Sequence, residues 1–247
     1  MGRYYYDLHI HSCLSPCGDD DMTPANIAGM AALNGLQIVA LTDHNSTKNC
    51  PGFFEACKRN GLIPIPGMEL TTAEEIHLIC LFDELQTAMH FGEEIDGYLI
   101  PVKNRPKIFG EQIIMDGSDT VLGEVENLLL TAATLPVERA YELCSDYGGA
   151  CFPAHIDREA NGIVAILGAF PEEPAFSCFE LNDSGNLEKL KKAYPILNSL
   201  RELTSSDAHR LWEISDAVNS IELDDEPYSG ENVRKALIKL LREGDSV

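Results

Sequence analysis

The chain is 247 residues long, with 45% hydrophobic and 23% charged residues, proportions that exclude a disordered tail, a collagen-like fibre and a coiled coil. The 40 Asp and Glu against 18 Lys and Arg give a formal charge of −22, so a long nucleic acid is not an expected partner; a local site for a small anion survives if acidic groups converge on bound cations. No stretch nears the roughly 20 consecutive apolar residues of a membrane span, and Met1-Gly2-Arg3-Tyr4 opens without a signal-peptide core, so a soluble cytoplasmic protein with no membrane contact is expected.

The first 80 or so residues alternate short β-like runs with helical segments, the pattern of βαβ units in a parallel sheet or barrel. Tyr4 to His9 reads as the first strand. Thr23-Pro24 opens a helix, with the hydroxyl residue as N-cap and proline in the first turn, and Gly35 closes it after Asn34. Gln37 to Thr42 is a continuous apolar run suited to a strand buried on both faces. A helix from Pro51 to Asn60 stops at Gly61, and strands follow over Leu62 to Glu69 and Ile76 to Phe82.

Between Gly97 and Pro136 the pattern lapses into a locally basic stretch holding Lys103, Arg105 and Lys107. Ile113 to Met115 and Thr120 to Leu122 then flank Asp116-Gly117-Ser118-Asp119, a small hairpin inserted into the fold. Val137 to Tyr147 resumes helical periodicity up to Gly148-Gly149. Three more strands are predicted over Ala150 to Ala154, Ala175 to Leu181 and Leu203 to Ser206, and an amphipathic helix over Asn232 to Arg242 packs against the rest. With no repeat and no low-complexity linker, residues 1–247 read as one domain, with residues 97–136 as an insertion within it.

Eight cysteines occur without a Cys-x-x-Cys pair, so reduced thiols are expected, with Cys80 and Cys151 as small buried hydrophobes inside apolar runs. The chemistry lies with the histidines. Six of the seven fall in or just after a predicted strand: His9 and His11, spaced to share one strand face, then His44, His77, His155 and His209. Carboxylates accompany them, with Asp43 beside His44, Glu69 closing the third strand and Asp207 two residues before His209. In a parallel barrel the C-terminal strand ends meet at one mouth, which gathers these residues into a single cluster. Burying so many titratable groups together without cations costs several kcal/mol apiece, and imidazole with carboxylate suits Zn, Mn or Fe. His90 stands apart as an ordinary surface or core histidine. Asp43 and Asp7 are candidates to orient ligand imidazoles through the free N–H, with turn and capping roles as the alternative.

His9-Ile10-His11-Ser12, Thr42-Asp43-His44-Asn45, Gly67-Met68-Glu69, Glu75-Ile76-His77, Ala154-His155 and Ser206-Asp207-Ala208-His209, in this order, resemble the motifs of the PHP (polymerase and histidinol phosphatase) superfamily. The resemblance implies a distorted (β/α)7 barrel, a trinuclear site for three divalent ions (Mn, Fe or Zn) and phosphoesterase chemistry through a metal-bridging hydroxide. Carried over by position, the first ion is held by His9, His11, Glu69 and Asp207. The second shares Glu69 and adds His77 and His155, and the third takes His44, His209 and a residue from the loop after His11. That loop, Cys13 to Asp21, is longer than the family pattern and offers three aspartates; aligning back from Thr23-Pro24 selects Asp19, with Asp20 as runner-up and a merely solvated loop as the plain alternative. Glu69 and Asp207 double as catalytic residues. Arg158, three residues past His155, is placed to clamp a phosphate oxygen or to pair at the surface with Asp157 or Glu159.

The expected substrate is a phosphate ester of a small metabolite, a nucleotide or a short oligonucleotide end. Two alternatives remain: a metal-dependent amidohydrolase or deaminase, against which the bridging Glu69 speaks, and a non-catalytic barrel stabilised by metal. The length leads to the expectation of a stand-alone domain without an attached polymerase.

Overall fold

A computed structural model describes residues 1–244 of the chain; the last three residues of the predicted domain lie outside the described residues. In chain order the elements are β1 (Gly2–Asp7), α1 (Pro24–Leu33), β2 (Ile38–Leu41), α2 (Cys50–Asn60), β3 (Ile63–Thr71), β4 (His77–Leu81), α3 (Leu85–Asp96), α4 (Pro106–Phe109), β5 (Ile113–Met115), β6 (Val121–Glu124), α5 (Val137–Asp146), β7 (Ala150–Pro153), α6 (Ile163–Leu167), β8 (Cys178–Leu181), α7 (Leu187–Ala193), β9 (Arg201–Thr204), β10 (Ser220–Leu223) and α8 (Gly230–Glu243). The local signals act as expected. The Thr23 side chain accepts the Asn26 N–H to cap α1, and Gly61 ends α2 in the left-handed region at φ 72°.

Six strands form one curled sheet in the order β10, β1, β2, β3, β4, β7, and β8 pairs with β9. Two contacts close the ring: Ile156 N–H donates to Glu180 O just past β7, and His11 N–H donates to Ala208 O at 3.0 Å just past β9. The result is a distorted seven-strand barrel, β1, β2, β3, β4, β7, β8 and β9, as the resemblance implies, with β10 appended antiparallel to β1. The expectation of an all-parallel ring is corrected. β4 runs antiparallel to both β3 and β7, because only the short turn around Thr72 to Glu75 joins it to β3, too short for a crossover.

Alternate strand residues face inward and outward. Ile38, Ala40, Ile63, Ile65, Ile79, Leu81, Phe152 and Leu203 fill the barrel, whose lower end is plugged by Val233, Leu237 and Leu241 of α8. Val39 and Leu41 pack outward on Ile27, Ala28, Phe53 and Ala56 of α1 and α2. Leu78 and Cys80 pack outward against Phe91 and Ile95 of α3 and Cys144 of α5. Helix α3, like α4, α6, α7 and strand β10, is not among the elements expected from the sequence. The alternation slips once, just past β1: Tyr4, Tyr6 and Leu8 belong to the interior, whereas Ile10 lies in the outer layer, and this slip turns His9 and His11 inward.

The predicted hairpin is present as β5 and β6, antiparallel with an irregularity at Ile114/Met115. It lies along the loop after β1: Ile113 N–H donates to Cys13 O, and Asn49 brackets the strand by donating to Ile113 O and accepting from Met115 N–H. Among the described residues no helix is long and apolar enough to cross a membrane.

Candidate metal centre

The six strand-end histidines meet at the upper mouth of the barrel with Glu69 and Asp207. Glu69 follows Ile63 and Ile65 in inward parity on β3, and Asp207 extends the inward series of Leu203 on β9. His77 arrives differently from the expectation. It is the first residue of β4, and the reversed direction of that strand brings its beginning, not its end, to the mouth. His155 and Asp207 hold positive φ values of 29° and 50°, sparsely populated backbone that turns each side chain into the cluster.

Hydrogen bonding assigns the ring nitrogens of the first pair. His9 Nδ1 lies 2.8 Å from Glu180 Oε1, and because a carboxylate accepts, Nδ1 carries the proton. Ser15 Oγ donates to Asp43 Oδ1 at 2.7 Å and so accepts from His11 Nδ1 at 3.0 Å. The Nε2 lone pairs of His9 and His11 therefore face each other across 3.1 Å. Asp207 Oδ1 stands 3.2 and 3.1 Å from them, and Glu69 Oε1 and Oε2 stand 3.3 Å from His9 and His11 respectively. Four acceptors converging on one buried point require a positive charge between them, a proton or a cation.

The rest of the cluster repeats this pattern around Glu69. His44 Nδ1, His77 Nδ1 and His155 Nε2 approach its carboxylate at 3.0, 2.8 and 3.0 Å. His44 Nδ1 and Asp207 Oδ1 are buried yet lack a partner in hydrogen-bonding geometry, although both sit within 3.2 Å of opposing site atoms. Three donor groups have all their ligand atoms within 4.8 Å of one another: His9, His11, Glu69 and Asp207; His44, Glu69 and His77; and His11, His44 and His209. The donor set fits divalent cations.

Charge follows the same geometry. Burial raises the Glu69 carboxyl pKa, but His77, His9 and His44 outweigh it and hold Glu69 well below the usual carboxylate range. Asp207 is likewise held low against its burial, by His9 and His11. Burial disfavours protonated His11, yet Asp207 and Glu69 overcome this and push it up to about 9. His44 also reaches about 9, where burial and the charge of His11 are outweighed by Glu69 and Cys17. His209, desolvated and beside His11, falls to about 3. The metal-free mouth thus takes up protons where cations fit.

The predicted loop ligand is not brought in. Asp19 is exposed and its carboxylate turns back to accept Asp21 N–H, although its own N–H donates to His209 O. Asp20 is exposed as well. Cys17 stands at the rim instead, lining a groove of about 410 Å³ with His44, His77, Thr71 and Asn161. Asp21 is exposed too, so all three loop aspartates face solvent.

Arg158 adopts neither surface pairing. Its guanidinium donates to Asp207 Oδ2 and to Asn182 Oδ1, while Asp157 accepts Asn182 N–H and Asp183 N–H. Arg158 lines a recess of about 140 Å³ with Glu69, His77, His155, Asn161 and His209. Asp43 acts on His11 through Ser15, and Asp7 accepts the N–H groups of Ser206 and Ser215 rather than an imidazole. Lys103, Arg105 and Lys107 are exposed, and His90 is a surface residue beside Gln86. Sequence reasoning missed Glu180, Asn182 and Ser15. Glu180 carried a signal: a carboxylate inside the buried run Cys178 to Leu181 needs a partner.

The PHP domain profile matches residues 7–152. Two relatives share stretches of sequence: an error-prone DNA polymerase of Symbiobacterium thermophilum, 33% identical over 99 residues, and the 5'-3' exoribonuclease Rnm of Salmonella typhimurium, 36% identical over 81 residues. These stretches make up 36% and 31% of this chain but 9% and 27% of those proteins, so the chain spans under a third of the curated relatives it matches. Among solved structures, the lesion-specific endonuclease Q of Pyrococcus furiosus superposes with a TM-score of 0.67 at 20% identity, over 97% of this chain and 56% of that one. A proposed metal-dependent phosphoesterase of Bifidobacterium adolescentis gives 0.59 at 17% identity, over 98% of this chain and 97% of that one. At these identities the likeness speaks to the fold.

Proposed function

The chain belongs to the PHP domain family, and on that premise we propose that it hydrolyses a phosphate ester of a small metabolite, a nucleotide or a short oligonucleotide end, with up to three divalent ions (Mn, Fe or Zn) at the barrel mouth. The observation that carries the reading is the convergence of His9, His11, Glu69 and Asp207, four groups whose facing atoms can meet only around a proton or a cation. His77 and His155, joined to Glu69, supply a second set of donors; His44 and His209 supply a third.

Bound divalent cations supply water activation at neutral pH and neutralise charge on the phosphoryl oxygens. The protein does the rest. Glu180 and Ser15 fix the tautomers of His9 and His11, so each Nε2 presents a lone pair to the cluster. The recess of about 140 Å³ is large enough for a phosphoryl group and too small for a nucleotide, so the remainder of the substrate extends into the adjoining groove past Cys17 and Asn161. Arg158, held on Asn182 and Asp207 at the recess wall, keeps one N–H on each terminal nitrogen to offer a non-bridging phosphate oxygen. Among the described residues no lysine lines recess or groove, which favours phosphoester chemistry over an amidohydrolase that depends on a modified lysine.

The test is inorganic phosphate release from a panel of monoesters, nucleotides and 5'-phosphorylated short oligonucleotides after reconstitution with Mn, with His11→Ala alongside. Release by the parent, abolished by chelation and reduced more than about 100-fold by His11→Ala, is the expected result, since loss of a ligand exceeds the roughly 10–100-fold cost of losing a partner behind a ligand. Activity surviving both treatments overturns the reading. Cleavage confined to internal phosphodiesters moves the assignment to a nuclease, the activity named for endonuclease Q.

A further inference from the structure

We propose that the protein carries a second metal site, a three-thiolate site for a thiophilic d10 cation such as Zn(II), formed by Cys80, Cys144 and Cys151 on the outer side of the barrel wall. The three sulfur atoms come from β4, α5 and β7 and lie within 4.8 Å of one another. Cys80 and Cys151 are direct cross-strand partners, with their sulfurs 4.0 Å apart. Bonds of about 2.3 Å from zinc to sulfur set neighbouring sulfurs about 3.8–4.0 Å apart in a tetrahedral or trigonal site, so this edge already has the required length.

The site is separate from the mouth. Cys80 lies three residues along β4 from His77, about 10 Å away, and belongs to the outward-facing series with Leu78. Its donors are also of another kind, because thiolates select soft cations where imidazole and carboxylate accept Mn or Fe. The backbone makes room for it. At Gly149 a Cβ would lie 2.7 Å from Cys144 Sγ and 2.5 Å from the Phe82 ring, so a side chain there would drive Cys144 from its place.

An entry path and a balancing charge are both present. Of the three buried cysteines Cys151 opens onto a cleft of about 500 Å³ whose walls carry Lys235, Lys239 and Arg242 against Asp83 and Glu243, a lining with one positive charge in excess. Three thiols that bind a divalent cation release three protons to solvent and leave a net charge of −1, which the single excess positive charge of the cleft offsets; water from the cleft completes a fourth position. Cysteines that merely fill space need no shared focus.

The test uses the full chain carrying Cys17→Ser, which removes the rim thiol, reduced and stripped of metal. Titration with Co(II) is read for thiolate-to-cobalt charge transfer in the near ultraviolet, and the Zn(II) form is read by X-ray absorption for sulfur at about 2.3 Å. We expect one equivalent of metal with a sulfur shell, lost together with the charge-transfer band in Cys144→Ala and retained in Cys57→Ala, a buried cysteine of α2 outside the cluster. Should Cys144→Ala fail to fold, the zinc spectrum of the Cys17→Ser chain decides alone. Absence of a sulfur shell overturns the proposal, as does a band indifferent to Cys144→Ala. A Cys80–Cys151 disulfide that forms in air, with no sulfur shell after reduction, overturns it in favour of a redox pair.

Discussion

Glu180 Oε1 accepts from His9 Nδ1 at 2.8 Å, and this one contact decides which nitrogen of His9 faces the cluster. Glu180 belongs to β8, on the side of the ring that closes last in the sequence, so a residue 171 positions away sets the tautomer of the first predicted ligand. Glu180→Gln keeps the shape but offers the imidazole either an acceptor or a donor. Metal affinity at the mouth is expected to fall about 10–100-fold. Isothermal titration of the metal-free protein with Mn or Zn measures it, and an unchanged affinity would remove Glu180 from the site.

The metal-free mouth binds protons, which makes its pH dependence predictable in sign. His11 and His44 stand at about 9 in the folded protein against an ordinary value of 6.5. A raised folded pKa stabilises fully below the unfolded value and loses that contribution as pH climbs through the folded one. Metal-free protein should therefore show a falling denaturation midpoint between about pH 6.5 and 9. Because ligand imidazoles must be neutral, metal binding near pH 7.5 should release protons and tighten as pH rises. Calorimetry in buffers of different ionisation heat reads the release directly; an affinity independent of pH would contradict the assignment.

Asp19 lies beside the cluster by backbone and outside it by side chain. Asp19→Asn is expected to leave metal content and affinity within about twofold of the parent, as for surface substitutions generally. A tenfold loss, measured by the same titration, would show that the loop rearranges to deliver this carboxylate when metal binds.

The segment that follows α4 is coupled to the loop after β1 through close backbone packing. Gly110 has φ 100°, and a Cβ there would collide with Pro16 O, one residue before Cys17. Gly110→Ala combines a disfavoured backbone with a contact neither side can relieve by side-chain rotation, and should cost about 1–3 kcal/mol. Chemical denaturation checks the stability. Phosphate release from bulky esters should decline more than release from small ones, because Cys17 of the groove wall directly follows Pro16.

Alternating strand and helix signals, the Thr23-Pro24 and Gly61 boundaries and the His-x-His pair are legible in the sequence because they are local features, fixed by backbone preference within a few residues. The ligand residue types are readable for the same reason, since a titratable group inside an apolar run needs a partner wherever the chain goes. Direction and depth are not local. Only the closed ring shows that β4 is reversed, which carries His77 to the mouth by its first residue. Only the ring shows that the alternation slips after Leu8, that Glu180 stands behind His9 and that the loop aspartates face solvent. Short-range chemistry specifies elements and donors; which donors share a point in space depends on strand pairing between residues far apart in the chain, and that is settled by packing the whole barrel.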